Sequence, residues 1–259
     1  MHNSALRFDC FAISDKGMKR QNNEDALICN SDDGLFLVAD GMGGENCGEV
    51  ASSITADNFY RIISPYLSDQ EVTVPFELSP EESIFKQALN HAVEIANSAV
   101  IEFAENNLSC RGMGSTLTAV VFNDWTLYIV HIGDSRLYKM DDKGLYQVTE
   151  DHTRVQEMVN EGLITPRQAK THPKKNVLTR CIGRKARLRP DIFSIDWKPG
   201  NTFLICSDGL TDMVGDEEIF RELTESDSLE SYAKRLIEMA NEKGGKDNIT
   251  LIVFRPFIE

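Results

Sequence analysis

Residues 35–39 read Leu-Phe-Leu-Val-Ala, apolar without a break, and stop at Asp40-Gly41. Continuous apolarity over a short run is the pattern of a strand buried on both faces. Further β-compatible runs are Leu6 to Ile13, Ala26 to Cys29, Thr116 to Phe122, Thr126 to Ile132, Arg136 to Met140, Leu145 to Val148, Ile192 to Trp197, Thr202 to Cys206 and Ile249 to Phe254. Turn-length links such as Asn123-Asp124 and Asp141-Asp142-Lys143-Gly144 predict antiparallel hairpins. Two long helical patterns interrupt the strands. One runs from Cys47 to Ile63, with Val50, Ala51, Ile54, Phe59, Ile62 and Ile63 near helical spacing. The other opens at Ser79-Pro80-Glu81-Glu82, where Ser79 suits the N-cap, Pro80 suits N1 and Glu82 completes a capping box. Its apolar stripe runs from Phe85 through Ala92 to Phe103. Leu229 to Ala240 reads as a third helix. Adjacent helices followed by consecutive strands favour an α+β class over alternating βαβ units. Residues 1–259 show no repeat and no linker, Gln70 to Pro75 reads as a loop, and one domain is expected.

The chain has 27 Lys and Arg against 41 Asp and Glu, a formal charge of −14. That balance argues against nucleic acid and anionic membranes as partners, because both want a basic surface. No apolar run approaches the roughly 18 residues of a membrane span. Met1-His2-Asn3-Ser4 is not the start of a secretory signal, so a cytoplasmic setting is expected. Six scattered cysteines form no C-x-x-C pair and read as reduced thiols. The acid excess is uneven. Arg167 to Arg189 holds nine basic residues and no acidic one.

Four aspartates stand where an apolar strand meets a turn: Asp40, Asp134, Asp208 and Asp247. Any one alone fits an ordinary Asp-Gly or Gly-Asp turn. Together they suggest carboxylates held on rigid strand ends. Clustered carboxylates repel unless a cation lies between them, and oxygen donors without cysteine suit a hard ion such as Mg²⁺, Mn²⁺ or Ca²⁺. Gly41 leaves its backbone free to offer a carbonyl. Arg20, in Lys-Arg-Gln-Asn-Asn-Glu-Asp, carries the planar fork that suits phosphate. Glu24 and Asp25 either extend the metal site through water or face solvent.

Eight segments in order resemble a bacterial metal-dependent protein phosphatase of the 2C type. Among them are Val-Ala-Asp-Gly-Met-Gly-Gly (38–44), His-Ile-Gly-Asp-Ser-Arg (131–136), Thr-Glu-Asp-His-Thr (149–153), Leu-Ile-Cys-Ser-Asp-Gly-Leu-Thr-Asp (204–212) and Gly-Lys-Asp-Asn-Ile-Thr (245–250). The resemblance implies a four-layer α-β-β-α sandwich, two antiparallel sheets face to face with helices outside. It implies hydrolysis of phosphoserine and phosphothreonine by metal-activated water. By motif, Asp40 would bridge two Mn²⁺ or Mg²⁺ ions, Asp208 and Asp247 would ligate one, and the Gly41 carbonyl would reach the other. Glu24 and Asp25 would support the site through waters, Arg20 would hold the phosphate, and Asp134 with Asp208 would form a third, weaker metal site. The implied partners are phosphorylated proteins and a bacterial Ser/Thr kinase that the phosphatase opposes; a monomer is expected.

Where relatives often carry histidine after the strand-end Asp-Gly, this chain has Met42. His152 is then a candidate general acid, or else a residue that orders its loop. His131 reads as a packed histidine. The basic segment overlaps the family's flap, about residues 153–180, where Lys174 and Lys175 would draw phosphorylated segments inward. Two other readings stand beside this one. A catalytically weak phosphoprotein-binding module is opposed by the intact Arg20, Asp40, Asp208 and Asp247 set. A nuclease is opposed by the acidic remainder of the chain.

Overall fold

The computed structural model describes residues 6–44, 47–68, 82–123, 125–184 and 188–259. The first β-strands are β1 (Leu6–Asp15), β2 (Asp25–Asn30) and β3 (Leu35–Met42). Helices α1 (Cys47–Leu67) and α2 (Ile84–Asn106) follow. Next come β4 (Gly114–Ser115), β5 (Leu117–Asn123), β6 (Thr126–Ile132), β7 (Arg136–Asp141) and β8 (Gly144–Gln147). Two short helices, α3 (Arg154–Asn160) and α4 (Pro166–Ala169), lie in the flap region. The chain then runs through β9 (Asp191–Ile195), β10 (Thr202–Cys206), α5 (Asp208–Thr211), α6 (Asp216–Glu225), α7 (Leu229–Glu242) and β11 (Ile249–Ile258).

The strands form two antiparallel sheets. One has the order β1-β11-β10-β7-β8, the other β2-β3-β5-β6-β9 with β4 added against β3. Alternation along each strand explains the unbroken apolar runs. In β3, Leu35, Leu37 and Ala39 pack under α1 and α2, while Phe36 and Val38 face the opposite sheet. In β10, Leu204 and Cys206 pack under α7, and Phe203 and Ile205 face inward. A fully buried side chain of this size contributes about 1.5–3 kcal/mol. Between the sheets the rings of Phe36 and Phe254 stack 4.1 Å apart. Helices, sheet, sheet and helices thus make the four expected layers.

Two expectations shift. The second long helix is capped by Ser83, whose side chain accepts from the Lys86 N–H at 3.2 Å, so it starts later than Ser79. Ser79, Pro80, Glu81 and the loop at 70–75 lie outside the described residues, as do Asp124, Lys185 and Arg187. The reading of all six cysteines as reduced thiols fails for two. Cys47, opening α1, is bonded to Cys110, with their Cα atoms 5.3 Å apart. Partners 63 positions apart leave no local spacing signal. The other described cysteines are free.

Candidate active site

The sheets bring their ends together at one edge. Asp40 is near the end of β3, and Asp25, the first residue of β2, is its register partner. Asp208 opens α5 directly after β10, and Asp247 stands just before β11. Asp134 lies in the connection from β6 to β7, where the chain crosses from one sheet to the other. A cleft of about 520 Å³ is lined by Glu24, Asp40, Asp134, Asp208 and Asp247, five carboxylates from both sheets, together with Arg20 and Gly41. Asp25 sits behind Asp40. A larger cleft, about 610 Å³, runs beside Trp125 and Trp197, and among the described residues Asp196 is the one carboxylate that lines it. Size does not locate the chemistry here.

Four polar residues that sequence reasoning passed over hold the carboxylates in place. The Asp40 N–H donates to Thr116 Oγ1 at 2.8 Å, and Thr116 Oγ1 meets Ser135 Oγ at 2.8 Å. Ser207 Oγ donates to Asp25 Oδ2 at 2.9 Å. Asn248 Oδ1 accepts from the Glu24 N–H at 2.8 Å, and its Nδ2 donates to the carbonyls of Lys16 and Asn22. Ser207 and Asn248 stand inside the quoted motifs beside Asp208 and Asp247, but the carboxylate residues they serve, Asp25 and Glu24, lie far away in sequence, as Asp40 does from Thr116. Gly41 is dictated by close approach. A Cβ there would lie 2.0 Å from the Gly48 carbonyl oxygen and 2.6 Å from that of Glu24.

The electrostatics ask for a cation. Burial, then the charges of Asp25, Asp208 and Asp134, push the Asp40 carboxyl well above its usual range. Burial, with Asp134 and Asp212, does the same to Asp208. Burial lifts Asp134 to about 7 and Asp25 to about 6. Burial also raises Glu24, while Arg20 pulls it down. Asp25 Oδ1 is buried without a hydrogen-bond partner. A buried orphan oxygen among repelling carboxylates fits water-bridged binding of a hard divalent ion. Among the described residues no three such side chains are already drawn around one point, so waters would complete a ligand shell.

Arg20 reaches the cleft and pairs with Asp247, Nη2 to Oδ2, at 2.7 Å. His152 does not line the cleft. It is buried, its Nδ1 accepts from the Gly133 N–H at 3.1 Å, and its Nε2 meets Asp191 Oδ2 at 3.0 Å and Arg180 at 3.1 Å. Both of its ring nitrogens are engaged away from the cleft lining. His131 is packed as expected, between Thr118 Oγ1 and the Glu150 carbonyl.

The segment expected to be a flap, about 153–180, borders the cleft, but through different residues. Asn176, Val177 and Leu178 line it, with Arg184 beyond them. Lys175 is instead bound by Asp212, and Lys174 is not part of the wall. No charge pattern in the sequence marked Arg184 apart from its neighbours.

Comparison with known proteins decides the family. A family model described as Protein phosphatase 2C matches residues 17–251. The chain belongs to the protein phosphatase 2C family. Within that family it is 39% identical over 242 residues to the serine/threonine protein phosphatase PstP of Mycobacterium tuberculosis, covering 93% of this chain and 44% of that protein. The chain thus spans less than half the length of this relative. It is 35% identical over 243 residues to the serine/threonine phosphatase stp of Listeria monocytogenes, covering 93% and 92% of the two chains. Among solved 2C structures, the PstP catalytic domain in complex with two manganese ions superposes with a TM-score of 0.82 at 36% identity, over 97% of this chain and 99% of that one. Among the described residues, no helix is long and apolar enough to cross a membrane.

Proposed function

We propose that this protein hydrolyses phosphoserine and phosphothreonine in other proteins, using two Mn²⁺ or Mg²⁺ ions in the carboxylate cleft. The observation that carries the reading is the meeting of five carboxylates from two sheets beside Arg20. The manganese-bound PstP relative supports the choice of ion. Asp40 would bridge the ions, Asp208 and Asp247 would hold one, and Gly41 would turn its carbonyl to the other. Asp134 with Asp208 would hold a third, and Glu24 and Asp25 would act through waters. Bound there, two divalent ions would lower the pKa of a water and offset charge on the phosphoryl oxygens.

The chain's own groups do the rest. Arg20 would exchange Asp247 for the substrate phosphate, which its fork can grip in two places. Thr116 and Asn248 keep Asp40 and the Glu24 backbone from moving as charge develops. Met42 lines the cleft where a histidine could have stood. It cannot give a proton, so the leaving alkoxide would take its proton from water or another side chain of the cleft. We leave His152 out of the reaction.

In this reading residues 1–259 are one catalytic domain with a flap at about 153–180, working as a monomer against a bacterial Ser/Thr kinase. A cytoplasmic setting has one observation against it, the Cys47–Cys110 disulfide, since such bonds are rare in reducing compartments. The test is Mn²⁺-dependent release of phosphate from a phosphothreonine peptide and from p-nitrophenyl phosphate. Full activity in Asp208→Asn would overturn the mechanism.

A further inference from the structure

Beside the carboxylate cleft lies a second hollow of about 430 Å³, lined by three lysines, Lys170, Lys175 and Lys246, and by two carboxylates that already have cationic partners, Asp212 with Lys175 and Asp247 with Arg20. The two spaces adjoin, because Asn176 and Asp247 line both. The lysines come from separate parts of the fold. Lys170 closes α4, and Lys246 stands in the loop between α7 and β11. That loop is fixed from below, where the N–H groups of Met18 and Lys19 both donate to the Gly245 carbonyl, at 2.8 and 3.1 Å. Lys175 is held by Asp212, which also lines the hollow. Lys170 and Lys246 differ. Neither ammonium has an ion-pair or hydrogen-bond partner among the described residues, in a chain with 41 carboxylates.

Like charges gathered in one hollow repel, and an anion placed between them relieves the repulsion. The size of the charge selects the anion. A phosphoryl group carries about −1.5 to −2 at neutral pH and offsets two ammoniums, whereas a carboxylate offsets one. Polynucleotide is the wrong shape for this field, because the lysines form one pit in an acidic chain rather than a basic stripe. We propose that the hollow is a subsite for a second phosphoryl group on the same peptide, and that a doubly phosphorylated segment is the preferred substrate. This rests on the phosphatase reading, with the scissile phosphate in the adjoining cleft.

The experiment compares three substrates at fixed Mn²⁺: p-nitrophenyl phosphate, a singly phosphorylated peptide, and peptides with a second phosphoserine at each nearby position. The natural chain should show a KM roughly five- to tenfold lower for one of the doubly phosphorylated peptides. The double variant Lys170→Ala/Lys246→Ala should lose that ratio and leave turnover of p-nitrophenyl phosphate unchanged. The ratio should also shrink between about 0.05 and 0.5 M salt, as exposed charge pairs do. A peptide with glutamate at the second position should fall short of the phosphoserine peptide. No preference in the natural chain, or a preference that survives in the double variant, overturns the subsite. Absence of turnover on all three substrates defeats the phosphatase reading instead. In that case fluorescence anisotropy with the same labelled peptides still decides the subsite, by whether the doubly phosphorylated one binds more tightly and loses its advantage in the variant.

Discussion

Arg20 Nη2 lies 2.7 Å from Asp247 Oδ2, which joins residues 227 positions apart at the wall of the cleft. Each group is proposed to serve a different ion, Arg20 the substrate phosphate and Asp247 a metal. Removing Arg20 therefore takes away a phosphate fork while freeing a ligand. Arg20→Ala should lower kcat/KM for a phosphopeptide by about 10- to 100-fold, the worth of a charge-assisted hydrogen bond of about 1.5–3 kcal/mol. Arg20→Lys should recover only part, since an ammonium keeps the charge and lacks the fork. Steady-state kinetics on both variants checks this. Equal kcat/KM in Arg20→Ala and the natural chain would contradict the assignment.

The carboxylate cluster sets the pH dependence of the metal-stripped protein. Asp134 and Asp25 have folded-state values of about 7 and about 6, above the ordinary range, mainly through burial. A carboxyl whose folded pKa is raised stabilises the fold below its unfolded pKa and loses that contribution as pH rises through the folded value. In EDTA the melting temperature should thus fall between about pH 4 and pH 7. Added Mn²⁺ should restore it at pH 7.5, because a ligand that binds only the folded state stabilises it. A flat EDTA profile, measured by differential scanning fluorimetry, would sink the idea.

Replacing one repelling carboxylate has opposite effects on stability and on activity. Asp40→Asn should raise the EDTA melting temperature by a few degrees, at about 2–4 °C per kcal/mol for a chain of this size. The same change should cut phosphatase activity by at least about 100-fold and weaken Mn²⁺ binding in calorimetry. A fall in both stability and activity would show that Asp40 is structural.

Asn248 is the buried peg on which the Arg20 loop hangs. Asn248→Ala strands the Glu24 N–H and the carbonyls of Lys16 and Asn22, at a cost of about 1–3 kcal/mol for each group that water cannot reach. Asn248→Asp can still accept from Glu24 but cannot donate to the two carbonyls. Thermal melts should rank the natural chain above Asn248→Asp and Asn248→Ala, and phosphopeptide KM should rise in both.

The Cys47–Cys110 bond closes a long loop beside the strand-end glycines. Cross-linking across 63 positions is worth about 4 kcal/mol in the chain-entropy model. Dithiothreitol, or Cys47→Ser with Cys110→Ser, should lower the melting temperature by about 8–16 °C. Mass spectrometry of alkylated protein from cells would give the thiol state in its own compartment.

What was legible from sequence follows from range. Leu35 to Ala39 announces its two buried faces in five letters, and Asp40, Asp208 and Asp247 stand in plain view at the ends of such runs. Helix α7 was readable from its own periodicity. The pairing of Cys47 with Cys110, the capture of Lys175 by Asp212 and the engagement of both His152 nitrogens are long-range events with no local spacing. The start of α2 was misplaced because Ser79 is followed by Pro80 and by Glu82 at capping-box spacing, local signals that Ser83, with Lys86 three residues on, lacks. Arg184 differs from the basic residues around it only by where the chain carries it.

The placement of Asp134 on the crossing between sheets has a further effect. Asp25 and Asp40 ride on one sheet, Asp208 and Asp247 on the other. No fragment containing a single sheet holds the set. A slip of one strand position, about 3.4 Å, along the aromatic seam would part Asp40 from Asp208 and break the close packing of the rings between the sheets. Metal affinity in this chain is therefore a gauge of sheet alignment.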